Sequence, residues 1–167
     1  MSTSEIAQAD FFELGDKTCL ICAEPELAEI LRTTLKDLGY KTRAVETADA
    51  AIDKMRYTYF DCIMVQETFA GTSLKTNTTL SYLATLPMAQ RRNTFIGLVG
   101  ESFKTLDAMQ AFAQSVHVVV NPSDLANMTA ILKKGLAEFE LMYRSYRIAV
   151  EMQVDRRAGG GDRRKGR

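Results

Sequence analysis

The cysteine and histidine side chains are the first candidates for chemistry in this sequence. Cys19 and Cys22 form a CxxC pair inside one apolar run, and Cys62 lies in another. In a strand, residues three apart point to opposite faces, so this pair is not able to chelate one ion. His117 is the only histidine, which leaves no second pair for a zinc site and no basis for a catalytic triad. The sequence therefore predicts buried, reduced thiols and no metal.

Two Asp-Arg-Arg repeats near the C-terminus are the second candidate. They place Arg156, Arg157, Arg163 and Arg164 in a Gly-rich segment, residues 155–167, which carries a positive charge while the chain as a whole is neutral. The segment has no apolar periodicity, which favours a flexible, solvated basic tail. Basic side chains of this kind also bind nucleic acid, so a nucleic-acid-binding regulator stays open as an alternative.

Short apolar runs alternate with longer stretches of helical period, which is typical of βα units around a parallel sheet. Five strands are predicted at residues 18–22, 41–45, 60–65, 95–99 and 116–120. The first helix begins at Pro25 and ends at Gly39, and the fourth spans residues 105–114 with Leu106, Met109 and Phe112 as its apolar side. The expected fold is α/β, a doubly wound five-stranded parallel sheet that forms one domain over residues 17–139.

The last helix is predicted to be longer than a helix that only covers a sheet. Its apolar residues keep spacings of three or four from Leu125 to Val150, and residues 140–154 extend it past the domain. Because two such stripes would bury apolar surface in each other, we predict a homodimer through Phe139, Met142, Tyr143, Tyr146 and Val150. The alternative is a helix that bends back onto its own domain, against Phe11 and Phe12 of an N-terminal leader at residues 1–16.

At this point the chain resembles a response-regulator receiver domain of the CheY-like family. The opening and first helix, ICAEPELAEILRTTLKDLGY, resemble that family's VDDEPxL segment, and FDCIMVQ resembles its YDLILLD strand. TFIGLVG resembles PIIMLTA, and the VNP that ends at Pro122 resembles the family's Lys-Pro. The resemblance implies the strand order 2-1-3-4-5, a functional crevice at the carboxyl ends of the strands, and a cis Asn121–Pro122 peptide bond.

The residues that perform aspartyl phosphorylation in that family are all replaced here. By resemblance, the two metal-binding acids correspond to Cys22 and Ala23, the acceptor Asp to Gln66, the Thr/Ser to Val99 and the Lys to Asn121. A thiol and a methyl group are not ligands for Mg²⁺, and a carboxamide does not form an acyl phosphate. Glu24 and Glu67 flank the crevice as candidate ligand contacts, although we expect both to be solvated loop acids.

These features predict a non-catalytic pseudo-receiver, without cofactor, that acts as a phosphorylation-independent protein-interaction module in signalling. A nucleotide-binding or other ligand-binding regulator that uses the crevice stays open, although Pro25 replaces the Gly-rich phosphate loop that such sites use. No apolar run is long enough to cross a bilayer, and no signal-peptide pattern opens the chain. We therefore expect a cytoplasmic protein whose signalling partner the sequence does not name.

Overall fold

The computed structural model describes residues 12–159, which form five strands, six α-helices and two 3₁₀ helices. The strands are β1 Lys17–Cys22, β2 Tyr40–Val45, β3 Cys62–Gln66, β4 Phe95–Val99 and β5 Val118–Val120. The α-helices are α1 Pro25–Asp37, α2 Ala48–Tyr57, α3 Thr78–Ala84, α4 Met88–Arg91, α5 Ala108–Ala113 and α6 Met128–Gly159. The 3₁₀ helices are Phe69–Gly71 and Pro122–Asn127. All strands are parallel in the order β2-β1-β3-β4-β5, which confirms the predicted fold class.

Local sequence signals explain where the first two helices begin and end. Pro25 stands in the first turn of α1, where its missing N–H costs nothing, and Gly39 reverses the chain after the helix with a φ of +87°. The Thr47 side chain accepts a hydrogen bond from the Ala50 N–H and so caps α2, as predicted. Pro25 and Gly39 thus mark the two ends of the helix that connects β1 to β2, and Thr47 marks the start of the helix that follows β2.

The sheet has an apolar core on each face. Cys19, Ile21 and Met64 point to the face that α1 and α6 cover. The other face contains Leu20 and Cys22 and is covered by α2, α3 and α5. Cys19 and Cys22 thus lie on opposite faces, as predicted, and no cluster of three His, Cys, Asp or Glu side chains suited to a metal occurs within residues 12–159.

The helix predicted at residues 105–114 is α5 in the structure, and the prediction was wrong both in its length and in the side that faces the core. The helix spans only Ala108–Ala113, and Met109 and Phe112 are 74% and 80% exposed. Its contact with the core is made by Ala111, while Phe103 from the preceding loop fills the adjacent space. A stripe of apolar residues does not show which neighbour covers it. In this part of the core the large side chain is Phe103, which comes from the loop before α5.

The last helix was predicted correctly as a long element, with two corrections. Residues 122–127 form a 3₁₀ turn, and α6 then continues for 32 residues, or about 48 Å. It reaches Gly159, so Arg156 and Arg157 are helical instead of belonging to a flexible tail, and their charges suit the helix C-terminus. Arg163 and Arg164 lie outside the described residues.

The side chains predicted for the dimer helix do not form one exposed surface. Phe139 is only 5% exposed and packs against Phe95 and His117 of its own domain, so it is not available to a partner. Tyr143 is half-buried beside Phe139. Met142, Tyr146 and Val150 are exposed beyond the domain edge, as an extended helix requires.

The N-terminal leader contributes one described contact with the core. Phe12 packs edge-on against Phe60, with 6.0 Å between the ring centroids, instead of against α6. Phe11 lies outside the described residues. Within residues 12–159, no helix combines the length and apolar character that a membrane span requires.

Candidate functional site

The five positions that the resemblance matches to the receiver phosphorylation site all lie at the carboxyl ends of the strands. Cys22 and Val99 are fully buried, and Ala23 is 5% exposed. Gln66 and Asn121 are half-buried at the rim of the crevice between them. Three of the five positions are therefore apolar and two are carboxamides, and of the five Gln66 and Val99 line the cavity at this edge of the sheet.

The Gln66 carboxamide is bonded to the start of α1. Its Oε1 accepts a hydrogen bond from the Glu24 N–H at 2.7 Å. The Glu24 side chain itself is exposed, as the sequence suggested. This bond connects the end of β3 to the N-terminus of α1. It satisfies a backbone N–H that has no hydrogen-bond partner within the helix.

Glu67 differs from the prediction that it is a solvated loop acid. Its side chain is only 8% exposed, and its carboxylate accepts hydrogen bonds from both the hydroxyl and the N–H of Ser102. Its own N–H donates to the Val99 carbonyl at 2.8 Å, so the residue prolongs the β3–β4 pairing. Gly100 is required beside it, since a Cβ there would stand 2.2 Å from Glu67 Oε2. The loops after β3 and β4 are thereby joined through one buried carboxylate.

Asn77 is a buried residue that supports the end of β3 and that sequence reasoning missed. It is 1% exposed, and its Nδ2 donates to the carbonyls of Gln66 and Glu67, each at 3.1 Å. Its Oδ1 accepts from the Leu80 N–H and caps α3. An asparagine directly before a helix is an N-cap signal that a sequence can show. The hydrogen bonds to the Gln66 and Glu67 carbonyls depend on how the loop after β3 folds back against the end of that strand, which the sequence does not show.

Asn121 closes the crevice on the side of β5. Its Nδ2 donates to the Phe103 carbonyl at 2.8 Å and the Glu101 carbonyl at 3.3 Å, and its Oδ1 accepts from the Ser123 N–H. The bond to Pro122 is trans, which corrects the expected cis geometry. The physical reason is that Pro122 opens a 3₁₀ helix directly after an extended Asn121, and a trans proline suits that first position.

The electrostatic character of the crevice argues against a phosphate ligand. Its cavity has a volume of about 550 Å³, and its lining contains no Lys, Arg or His among the described residues. The charged side chains of the lining are all acids: Glu24, Glu26, Glu67 and Glu101. Phosphate sites use cations and free N–H groups, and here the Glu24 N–H is already bonded to Gln66.

His117 lies far from this crevice and serves the core, as expected of a satisfied strand residue. Its Nδ1 accepts a hydrogen bond from the Ile96 N–H at 2.9 Å, and its ring stacks on Phe95. Burial, with a smaller contribution from the nearby Arg91 charge, lowers the pKa of His117 to about 4. The Arg91 guanidinium donates to the carbonyls of Leu83 and Ser115, so it connects α3 to the turn between α5 and β5.

Solved structures with the same fold include several response-regulator receivers. A Chloroflexus aurantiacus protein assigned as a response regulator superposes with a TM-score of 0.58 at 16% identity, over 73% of this chain and 98% of that one. The signal receiver domain of an HD domain-containing protein from Pseudomonas fluorescens gives a TM-score of 0.54 at 13% identity, over 75% and 97% of the two chains. NtrX from Brucella abortus gives 0.59 at 13% identity, but this chain covers only 28% of it.

Comparison by sequence gives no relative: no protein-family model matches the chain, and no curated protein matches it. The structural likeness nevertheless confirms the resemblance inferred from the motifs. The chain has the receiver fold.

Proposed function

We propose that this chain is a non-catalytic signalling module, a receiver-fold domain that contacts protein partners without being phosphorylated and acts as a homodimer. The observation that supports this most is the set of bonds inside the crevice. Gln66 holds the Glu24 N–H, Glu67 holds Ser102, and Asn121 holds two carbonyls of the loop after β4. The polar side chains at these positions are thus already bonded to backbone groups or to Ser102 of the surrounding loops.

Aspartyl phosphorylation needs an acceptor carboxylate, a metal and a cation that stabilises the transferring group. Gln66 offers a neutral carboxamide, and neither Cys22 nor Ala23 supplies an oxygen ligand for Mg²⁺. Asn121 carries no charge, and both of its polar atoms already bond to backbone groups. Glu67 is the only buried carboxylate among residues 12–159, but Ser102 and Gly100 enclose it.

Mass spectrometry of the intact protein tests the first half of this proposal. After incubation with acetyl phosphate and Mg²⁺, the mass should be unchanged, while a receiver domain with its acceptor Asp gains a phosphoryl group under the same conditions. The matched variant Gln66→Asp restores the acceptor but not the metal ligands, so it should also stay unmodified. A phosphoryl group mapped to residues 60–70 of the wild-type chain would contradict the proposal.

The homodimer is supported by the exposed apolar side chains of α6 beyond the domain. Leu141, Met142 and Met152 are 76%, 62% and 56% exposed on a helix segment that has little tertiary packing of its own. A helix of this length gains most of its stability from an apolar face that is buried, so a second copy would stabilise it.

Light scattering on the full chain tests the homodimer. The wild type should be dimeric at tens of micromolar, and Met152→Glu should shift it to a monomer. Met109→Glu is the matched control, because Met109 is also an exposed methionine, at 74% against 56% for Met152, but lies on α5 instead of α6. A monomeric wild type, or a Met152→Glu variant that stays dimeric, would contradict this assignment.

A further inference from the structure

A second cavity lies at the edge of the sheet opposite the crevice, where the first three strands begin. Its lining comes from the starts of β1 and β2, from the loops before β3 and β4, and from one side of α6, and its volume is about 550 Å³. None of the five positions matched to the receiver phosphorylation site belongs to this lining. A concave site of this size, with apolar walls and a few polar groups, is typical of small-molecule binding.

Aromatic side chains form part of the cavity wall. Tyr40 lines it at the start of β2, Tyr59 in the loop before β3, and Phe139 from α6. Tyr59 is 56% exposed, and its hydroxyl donates to the Asn93 carbonyl, so the ring is both accessible and held in position. A tyrosine ring stacks on a planar ligand at a low entropic cost because only two torsions have to be fixed. The wall therefore suits a flat aromatic ligand.

The charged side chains of the lining are three cations and two acids. Arg147 and Glu140 neutralise each other in an ion pair of two hydrogen bonds, with lengths of 2.9 and 3.3 Å. Lys17 and Lys133 are the other cations, and neither forms an ion pair with a carboxylate among residues 12–159. With Asp61 as the second acid, the lining has one net positive charge. The cavity therefore favours a ligand with a single negative charge over a dianion.

The wall also offers one hydrogen-bond donor and one acceptor. Tyr40 is half-buried, and its hydroxyl has no hydrogen-bond partner in the described part of the chain. Asp61 accepts the Thr18 N–H at 2.9 Å and the Thr18 hydroxyl at 3.3 Å, both through Oδ2. The other carboxylate oxygen, Oδ1, has no partner between residues 12 and 159, so it is available to an N–H group of a ligand.

We propose that this cavity binds a flat aromatic ligand that carries one negative charge and an N–H donor on its ring. The ring stacks on Tyr59, the negative charge pairs with Lys17 and Lys133, and the N–H donates to Asp61. Two sources share this chemistry: an amino-substituted aromatic carboxylate, and a cyclic nucleoside monophosphate, whose phosphodiester also has a single charge. The inference goes beyond the proposed function, since it involves neither the crevice nor the apolar side chains that a second copy would cover.

Such a ligand would contact the sheet and α6 at the same time. Lys17 and Tyr40 belong to the sheet side of the cavity, whereas Lys133 belongs to α6. Because the cavity exists only in the folded protein, the ligand should stabilise the packing of α6 on the domain and raise the melting temperature.

Isothermal titration calorimetry on the full chain tests the class of ligand with matched probes. Both 4-aminobenzoate and cyclic AMP have the ring, the amine and the single negative charge, whereas 4-aminobenzamide and adenosine lack the charge. Cyclohexanecarboxylate has the charge without the flat ring. We expect at least one of the two aromatic anions to bind one-to-one with a Kd below about 1 mM. Its neutral counterpart and cyclohexanecarboxylate should bind at least about tenfold more weakly, and the tighter of the two anions identifies the source.

Charge reversal on α6 tests the position of the anion. Lys133→Glu should raise the Kd by about tenfold, since an attraction becomes a repulsion. Lys134→Glu is the matched control, because it makes the same change at the next residue, which is also exposed but does not line the cavity. Salt screens its more distant charge, so the Kd should change by less than about threefold.

Substitutions of tyrosine test the position of the ring. Tyr59→Ala removes the stacking surface and should raise the Kd by about tenfold, whereas Tyr59→Phe keeps the ring and should bind as the wild type does. Tyr57→Ala is the matched control, because Tyr57 is exposed and lies outside the lining, and it should leave the Kd unchanged.

Each of the other outcomes would overturn the proposal. No binding of either aromatic anion at about 1 mM would exclude the ligand class. Equal losses in Lys133→Glu and Lys134→Glu would show attraction to surface charge instead of a site, and unchanged binding by Tyr59→Ala would place the ligand elsewhere. None of these measurements depends on the oligomeric state, so the ligand site and the homodimer are tested separately.

Discussion

Replacing His117 by asparagine should remove a pH dependence of stability that sets in below pH 6.5. In the folded protein His117 Nδ1 accepts the Ile96 N–H, so a proton on that nitrogen would replace an acceptor with a second donor. The ring is also enclosed by Phe95 and Phe139, which disfavours its charged form. Asparagine keeps a carbonyl acceptor near the same place but does not titrate.

The sign follows from the direction of the pKa shift. Folding lowers the pKa of His117 from its ordinary 6.5 to about 4, so the unfolded chain binds the proton first as the pH falls. The stabilising contribution is fully present above pH 6.5 and is lost progressively toward pH 4. At 1.36 kcal/mol per pKa unit the whole loss is about 3 kcal/mol, and about 2 kcal/mol of it has occurred by pH 5.

Urea unfolding at several pH values between 7.5 and about 4.5 measures this directly. The difference in free energy of unfolding between the wild type and His117→Asn removes the contribution of the carboxylates, which both proteins share. That difference should shift by about 2 kcal/mol in favour of the variant between pH 7.5 and pH 5. A difference that stays constant over this range would refute the assignment of a buried, neutral His117.

Three further predictions concern packing and the buried polar contacts. Phe69→Ala should lower the free energy of unfolding by about 3–5 kcal/mol because Phe69 is fully buried, whereas Phe112→Ala, at an exposed ring, should change it by less than about 0.5 kcal/mol; chemical denaturation compares the two. Gly100→Ala should cost about 1–3 kcal/mol through its clash with Glu67, and the added change Glu67→Ala should recover part of this loss in a thermal melt. Arg91→Ala should cost about 1–3 kcal/mol because two backbone carbonyls lose a charged donor, which hydrogen exchange at the start of β5 would localise.

The sequence was most informative where a local pattern determines the structure. Apolar runs located four of the five strands, because strands buried on both faces need continuous apolar residues. The second strand, KTRAV at residues 41–45, was predicted as an edge strand, and β2 lies at the edge of the sheet and is only partly buried. Pro25 and Gly39 located the first helix, since each occupies a position that few other residues suit. The resemblance added the strand order, which the pattern of runs alone does not determine.

The predictions failed where the outcome depends on what comes together in space. Glu67 was expected in solvent, yet Ser102, 35 residues later, reaches back to enclose its carboxylate. Met109 and Phe112 were expected in the core, yet they are exposed, and Ala111 and Phe103 are the members of the core cluster from this part of the chain. Periodicity indicates that a helix has an apolar side, but only the completed packing determines whether that side is covered.

The three buried cysteines allow local unfolding of the protein to be measured on each face of the sheet. Cys19 and Cys62 stand at paired positions of β1 and β3 on one face of the sheet, and Cys22 points to the other face. All three are fully buried, and burial raises the pKa of Cys19 and Cys22 above the usual range for thiols. Alkylating reagents attack thiolates, so they react with these cysteines only after the surrounding layer has separated from the sheet. With single-cysteine variants, the labelling rate would show whether the layer of α1 and α6 opens independently of the layer on the other face.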